Sequence, residues 1–286
     1  MLIFAGIFIV ILCTFGGYAA LGGHLFVLWQ PFEAVIICGA ALGGYVIANP
    51  GTVLRRTGGA ISQAIRGKRY KKADYLELLS LLFMLFKLAK TKGMLALEQH
   101  IENPEESNIF QQFPNVLGNE RAITFLRDYL RLMSLGSEDP HTLEALMDEE
   151  IGTHHEESYQ VANAIQTVAD TLPALGIVAA VLGVIKTMGA ITEPPEVLGR
   201  LIGGALVGTF LGVWLAYGFV GPLANCLKAM YDSENKYFQC MKAGLLAHLH
   251  GYAPAISVEF ARKMLFADER PTFYEVEETT AALPPG

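Results

Sequence analysis

The chain is 286 residues long, 52% of them hydrophobic, and carries a formal net charge of −7. Its mean hydropathy of +0.36 is too high for one or two ordinary soluble domains and directs the reading to the membrane. The excess of acid over base argues against nucleic acid as a partner.

Taken in chain order, Leu2 to Gly23 is the first uncharged run. It lacks a basic leading segment and is too long for the apolar stretch of a cleaved signal, so it is expected to stay as a span of about residues 2–22. Ala34 to Leu54 is the second run and gives a span of about 34–54. Each meets the ~20 residues needed to cross ~30 Å of hydrocarbon. The loop between them, Gly22 to Glu33, has no Lys or Arg, whereas Arg55, Arg56, Arg66, Lys68, Arg69, Lys71 and Lys72 follow the second span. Basic residues collect on the inner side, which puts that loop outside and both termini in the cytoplasm.

Residues 55–170 read as a large helical cytoplasmic domain. Tyr70 to Lys92 contains a nine-residue apolar run, Leu78 to Phe86, broken only by Ser80 and too short to span, so it is expected as a buried cytosolic helix. Met94 to His100 resumes as a short helix after Gly93. Asn103-Pro104-Glu105-Glu106 has the order of an N-cap, a first-turn proline and acids at the positive end of a helix dipole, and predicts a helix start. Asn119 to Leu135 is amphipathic, with Ile123, Leu126, Leu130 and Met133 on one face. Gly136 to Pro140 is a turn. From His141 the helical pattern has no strong breaker except Gly152 before Pro173, so this helix is expected to run into the third span.

The third span, about 171–191, starts at Thr171 and holds Lys186, which can reach the interface. The fourth, about 201–224, lies in the uncharged run Leu201 to Leu227. No carboxylate falls in any of the four uncharged runs. Cys226 to Leu249 extends as a helix into the cytoplasm, Ile256 to Phe266 forms another, and Thr279 to Gly286 reads as a frayed tail. The expected organisation is a hairpin over 1–54, the cytoplasmic domain 55–170, a second hairpin 171–227 and cytoplasmic helices 228–286. The fold class is all-α, an integral membrane protein with four transmembrane helices.

No phosphate loop, nucleophile elbow or Cys/His cluster is present, so nothing in the sequence supports an enzyme or a metal site. The four cysteines have no metal-type spacing and read as reduced packing residues. His154 and His155 are adjacent, so on a helix they point ~100° apart and cannot share a ligand. Gly204, Gly208 and Gly212 make a period-four ladder, joined by Gly39 and Gly43 in the second span, that lets helices approach closely. Thr209 either bonds its own i−4 carbonyl or faces a pore, and Tyr217 either packs or lines the same path. Pro173 and Pro222 remove N–H donors and free the carbonyls of Ala169 and Gly218, as simple kinks or as a paired hinge.

Gly16-Gly17-Tyr18, Leu97-Glu98 with Ile101-Glu102-Asn103-Pro104, Ala145 to Glu150, Leu172 to Val181, Val207 to Gly212 with Leu215 to Gly218, and Gly251 to Pro254 with Val258-Glu259-Phe260 together resemble the MotA family of flagellar motor stator subunits. The likeness spans nearly the whole chain. It implies a homopentamer around a MotB-type partner that is anchored to peptidoglycan and carries the ion-binding aspartate, placed in the inner membrane and acting on the rotor protein FliG. It further implies that Pro173 and Pro222 couple ion passage to movement, that Thr209 faces the ion path with Ala180 and Tyr217 nearby, and that Lys90, Glu98 and Glu150 contact the rotor. Lys90 stands where the family has arginine, which keeps the charge but loses the guanidinium fork. Sodium-driven relatives carry a threonine where this chain reads Ala179-Ala180, so the permeating ion is expected to be H+, with no cofactor. Two other readings stay open: an energiser of the ExbB/TolQ type, against which the extra hairpin Leu2 to Leu54 argues, and a non-conducting scaffold, which ion flux would exclude.

Overall fold

The computed structural model describes residues 2–67, 70–136 and 139–283; Lys68, Arg69 and the middle of the 136–140 turn lie outside them, as do the last three residues. Among the described residues the regular elements are all helices, joined by turns. Four helices are long and apolar enough to cross a membrane: α1 (Leu2–Ala20), the segment Leu25–Ala48 that contains α2 (Pro31–Ala48), a stretch of α7 (Pro140–Met188), and a stretch of α8 (Pro195–Leu249). Between them lie α3 (Gly51–Arg66), α4 (Lys72–Lys92), α5 (Leu95–Glu102) and α6 (Glu120–Ser134), and beyond them α9 (Pro254–Lys263) and α10 (Phe273–Ala281).

The chain divides into two compact units, Met1–Gly67 with Glu157–Met230, and Lys68–Glu156 with Tyr231–Gly286. The first holds the spans. One of its buried apolar clusters is built on Ile37, Ala41, Leu172, Ala179 and Ala216. Large apolar side chains such as Phe8, Phe26, Trp29, Val46 and Ile185 are exposed instead. In water that surface would be a severe liability, and in hydrocarbon it is the expected outside of a span.

Three local features shape this unit. The apolar run of the second span continues to Leu54, but its helix ends at Ala48. Asn49 precedes Pro50 and takes extended backbone, ψ 140°, because the proline ring crowds the helical conformation of the residue before it. Val53 and Leu54 therefore belong to α3, an amphipathic helix that buries Val53, Ala60 and Ala64. Secondly, α1 and α8 each contain a five-residue π turn, Leu12–Gly16 and Ala216–Val220. Thirdly, α7 is one helix of 49 residues with Pro173 inside it, the uninterrupted run expected from the sequence.

The second unit has a conventional core. Leu78, Leu79, Leu81, Leu82, Leu85 and Phe86 of α4 are completely buried, which explains an apolar run too short to span. α6 buries Phe125, Leu126, Tyr129 and Leu130 against the same cluster, and the Asn119 side chain caps it by accepting from Ala122 N. Tyr70 stacks on Tyr237 at 4.1 Å, and buried Tyr75 donates to the Ser233 carbonyl.

Two local expectations fail here. No helix starts at Asn103-Pro104; the chain makes a turn, and the buried Ser107 hydroxyl accepts from Ile109 N and Phe110 N, drawing the backbone into a 3₁₀ turn at Phe110–Gln112. Nor is residue 279 the start of a frayed tail, because Thr279 lies in α10. Thr272 and Glu275 cap that helix reciprocally, and Val276 is buried in the core.

Candidate functional site

The third and fourth spans pack backbone to backbone. A Cβ added at Gly212 would lie 2.6 Å from the Leu172 carbonyl oxygen and 2.8 Å from Gly176 Cα, and one at Gly176 would lie 2.8 Å from the Gly208 carbonyl oxygen. One at Gly183 would meet Ala205 Cβ at 2.7 Å. Glycine is required at these positions because any side chain would occupy the neighbouring backbone. Gly208 and Gly212 of the ladder thus make a close helix seam with the third span, Gly204 faces the Gln30 side chain at 3.1 Å instead, and Gly39 and Gly43 have no atom within 4 Å and take no part in it.

Gly208 is where the site converges. Within reach of its missing Cβ lie Ala179 Cβ at 3.1 Å, Ala180 N at 3.2 Å and Glu33 Oε2 at 3.3 Å. Thr209 is next in sequence and half-buried. Thr187 spends its hydroxyl on the Gly183 carbonyl at 2.9 Å, whereas among the described residues Thr209 makes no such bond. Its oxygen therefore stays available as a polar group in an apolar setting. Tyr217, in the π turn of α8, is 69% exposed and stands apart from this point.

Glu33 is the residue the sequence reading missed. The uncharged run starts at Ala34, but α2 starts at Pro31, which places Glu33 in the first turn of a spanning helix. Its Oε2 is buried with no hydrogen-bond partner. A carboxylate oxygen enclosed in this way is costly unless it takes up a proton or meets a cation. The spans therefore do bring an acid of their own. The signal was present: Pro31 marks a first helical position, and an acid two residues later belongs to the same turn.

The two prolines are brought together through their neighbours. Pro173 frees the carbonyl of Ala169, which is buried, and a Cβ added at Gly221, beside Pro222, would lie 3.8 Å from Ala169 Cβ. Pro222 cannot donate to the Gly218 carbonyl, and the ladder widens there: Gly221 N–H bonds back five residues to Ala216. The same part of α8 is tied to the other π turn, since Trp214 Nε1 donates to Thr14 Oγ1 at 3.2 Å and Phe15 meets the Trp214 ring edge-on at 5.0 Å.

In the other unit, Lys90 at the end of α4 and Glu98 on α5 are both exposed. Burial, and then the charge of Lys90, push the His248 imidazole below its usual range. Glu150 is exposed too, but its Oε2 accepts from the Tyr129 hydroxyl at 2.7 Å, and burial together with that carboxylate pushes the phenol upward. Glu150 also borders a cavity of about 350 Å³ with Arg121 and His154. The two histidines have separate surroundings, His154 against Arg121 and the Phe238 ring, His155 against Asp232 at 3.7 Å. Among the described residues no group of His, Cys, Asp or Glu could hold a metal ion.

Residues 4–93 match the model of the motility protein A N-terminal family, and residues 119–240 match that of the MotA/TolQ/ExbB proton channel family. Motility protein A of Salmonella typhimurium is 47% identical over 283 residues, which is 99% of this chain and 96% of that one. Among solved structures, C. jejuni MotAB superposes with a TM-score of 0.78 at 18% identity, covering 94% of this chain and 98% of the other. The flagellar MotAB stator complex from Bacillus subtilis gives 0.72 at 24% identity, covering 90% and 92%.

Proposed function

The chain belongs to the motility protein A family and is a flagellar stator subunit that works with a MotB-type partner; from that premise we propose how its residues turn ion movement into work. That family consists of channel subunits and is not an enzyme family. The observation that carries the proposal is the convergence at Gly208, where a buried carboxylate oxygen, two small residues and the position next to Thr209 meet in one apolar setting.

The permeating ion is H+. It enters from the outer side, where the loop before α2 is free of Lys and Arg, and Glu33 takes it up. It then passes to the aspartate of the MotB-type partner at the level of Thr209. Ala179 and Ala180 offer side chains without oxygen, which suits a proton relay better than a hard metal cation that needs several oxygen ligands. Protonation changes how the partner is held, and a homopentamer of this chain steps around it in the inner membrane, with both termini in the cytoplasm.

Pro173 and Pro222 act at the inner end of the seam. Each removes one backbone bond, and Gly221 against Ala169 lets the two weakened turns move in concert. The exposed charges of Lys90 and Glu98 then meet the rotor protein FliG. Glu150 contributes less directly, since Tyr129 already holds its carboxylate.

The test is swimming and cytoplasmic pH in cells lacking their own stator genes and given this chain with its cognate partner, with and without external sodium. Motility independent of sodium and abolished by a protonophore supports the proton reading. Strict dependence on sodium overturns the ion assignment.

A further inference from the structure

The second unit holds a cavity of about 350 Å³ between the start of α6, the part of α7 around Ile151 and the stretch of α8 around Asn235. That is room for one small organic molecule. Phe125, Ile151 and Phe238 are buried and give it an apolar floor, on which the two phenyl rings meet edge-on at 5.5 Å.

The polar groups around this floor are mostly acceptors. Asn235 lines the cavity, and its Oδ1 is buried with no hydrogen-bond partner, an acceptor that the fold itself leaves unsatisfied. Glu120 and Glu150 stand exposed at the rim. Glu150 gives Oε2 to the Tyr129 hydroxyl, and Oε1 is its second acceptor. Arg121 lines the cavity too, but the buried Glu234 carboxylate engages it at 3.8 Å and His154 Nε2 faces it. A guanidinium can only donate, so that nitrogen of His154 is the acceptor and carries no proton. Three carboxylates, Glu120, Glu150 and Glu234, therefore surround one guanidinium, and the surplus charge is negative.

The two rim acids do not stand side by side. Arg121 meets His154 and Tyr129 meets Glu150, so α6 and α7 run antiparallel along the cavity, with Glu120 at the His154 end and Glu150 a turn away, ~6 Å along α7. Separated carboxylates with an apolar floor between them match a chain with charged ends and an apolar middle. A bare metal ion finds no equivalent, since no group of His, Cys, Asp or Glu among the described residues could hold one. We propose that this cavity binds a linear polyamine, with ammonium groups at Glu120 and Glu150, an N–H donated to Asn235 Oδ1, and the methylenes laid on Phe125, Ile151 and Phe238. The phenyl rings add cation–π attraction to the carboxylates. The site lies wholly in the second unit and does not depend on the ion-path reading, so either can fail alone.

Spermidine is the probe, measured by equilibrium dialysis against the complex of this chain with its partner in nanodiscs of phosphatidylcholine, a lipid without net charge. Wild type is expected to bind one spermidine per copy of this chain, and equimolar Mg²⁺ should not displace it. Glu120→Gln and Glu150→Gln should each weaken binding by about fivefold, whereas Glu106→Gln, at an exposed acid outside the cavity, should leave it unchanged. Asn235→Leu replaces the unpartnered amide by an apolar group of similar size. It should weaken binding by about tenfold, while the complex without spermidine melts at the wild-type temperature or above it. Equal binding by wild type and Asn235→Leu overturns the proposal. So does displacement by equimolar Mg²⁺, a lower melting temperature of Asn235→Leu without spermidine, or a wild-type complex that takes up no spermidine because another protein surface covers the cavity.

Discussion

Gly212→Ala tests the seam between the third and fourth spans in quantitative terms. The added Cβ would sit 2.6 Å from the Leu172 carbonyl oxygen, against 3.4 Å for ordinary contact, a shortfall of 0.8 Å. The obstacle is backbone on the facing helix, so no side chain can turn away and the helices must part. A gap of ~0.5–1 Å forfeits roughly a quarter to a half of the dispersion attraction of each contact it opens. Overpacking of this kind costs ~1–3 kcal/mol. The loss would fall on Gly176, Gly208 and their neighbours together, because the seam is continuous. Gly43→Ala is the control, having no atom within 4 Å of the new methyl. The assay is the fraction of complex that survives a temperature ramp in detergent, read by size exclusion, alongside swimming speed. Gly212→Ala should lose complex several degrees below both wild type and Gly43→Ala and should swim slowly. Equal survival of the two alanine variants would refute the account of the seam.

Glu33→Gln keeps the shape of the side chain and removes its charge; it should leave membrane insertion unchanged and lower proton uptake through the complex by an order of magnitude or more, measured as cytoplasmic acidification. Glu98→Lys should reduce torque in a tethered-cell assay while the amount of assembled complex stays constant. Pro173→Ala should insert normally and slow or stop rotation, and full torque in that variant would reduce the proline to a structural kink. The last prediction concerns pH. Arg262 binds Glu259 through two bonds of 2.7 Å and the Pro271 carbonyl through a third of 2.8 Å, and its hydrogen bonds hold the Glu259 carboxyl below the usual range. A depressed carboxyl stabilises the fold above its unfolded value and loses that contribution as pH falls through the folded one. Glu259→Gln should therefore cost about 3 kcal/mol near neutral pH, and its gap from wild type in thermal melts should close below about pH 4.

Much of this architecture could be read from the sequence, for physical reasons that differ from element to element. α7 was legible because a run without strong breakers continues as helix until something stops it, and Gly152 alone is too weak. α4 was legible because its apolar run is too short for a bilayer and too apolar for a surface. The end of α2 was not, since hydropathy is blind to Pro50 and counts Val53 and Leu54 as lipid-facing although α3 begins at Gly51. The same blindness hid Glu33: averaging over apolar residues begins a span where charge ends, while the helix begins at Pro31. At Asn103 a sound capping signal lost to a competing one, the buried Ser107 hydroxyl bonded to His100 Nδ1 at 2.8 Å. The glycine ladder announced close packing, but not its partner, because Gly176 and Gly183 stand seven residues apart and make no period-four pattern.

The π turn in α8 sets the bearing of the last span. Its buried small residues advance in fours, Gly204, Gly208, Gly212 and Ala216, and then by five to Gly221. In an unbroken α-helix a five-residue step would swing the face by ~140° and point Gly221 away from Ala169. The wide turn at Ala216–Val220 takes up that swing, so the seam keeps its phase past the point where a fixed repeat would lose it. Deleting a single residue there would return the segment to a plain α-helix with Gly221 four places after Ala216 and its face kept, and it is a second deletion that would turn Gly221 by ~100° from Ala169.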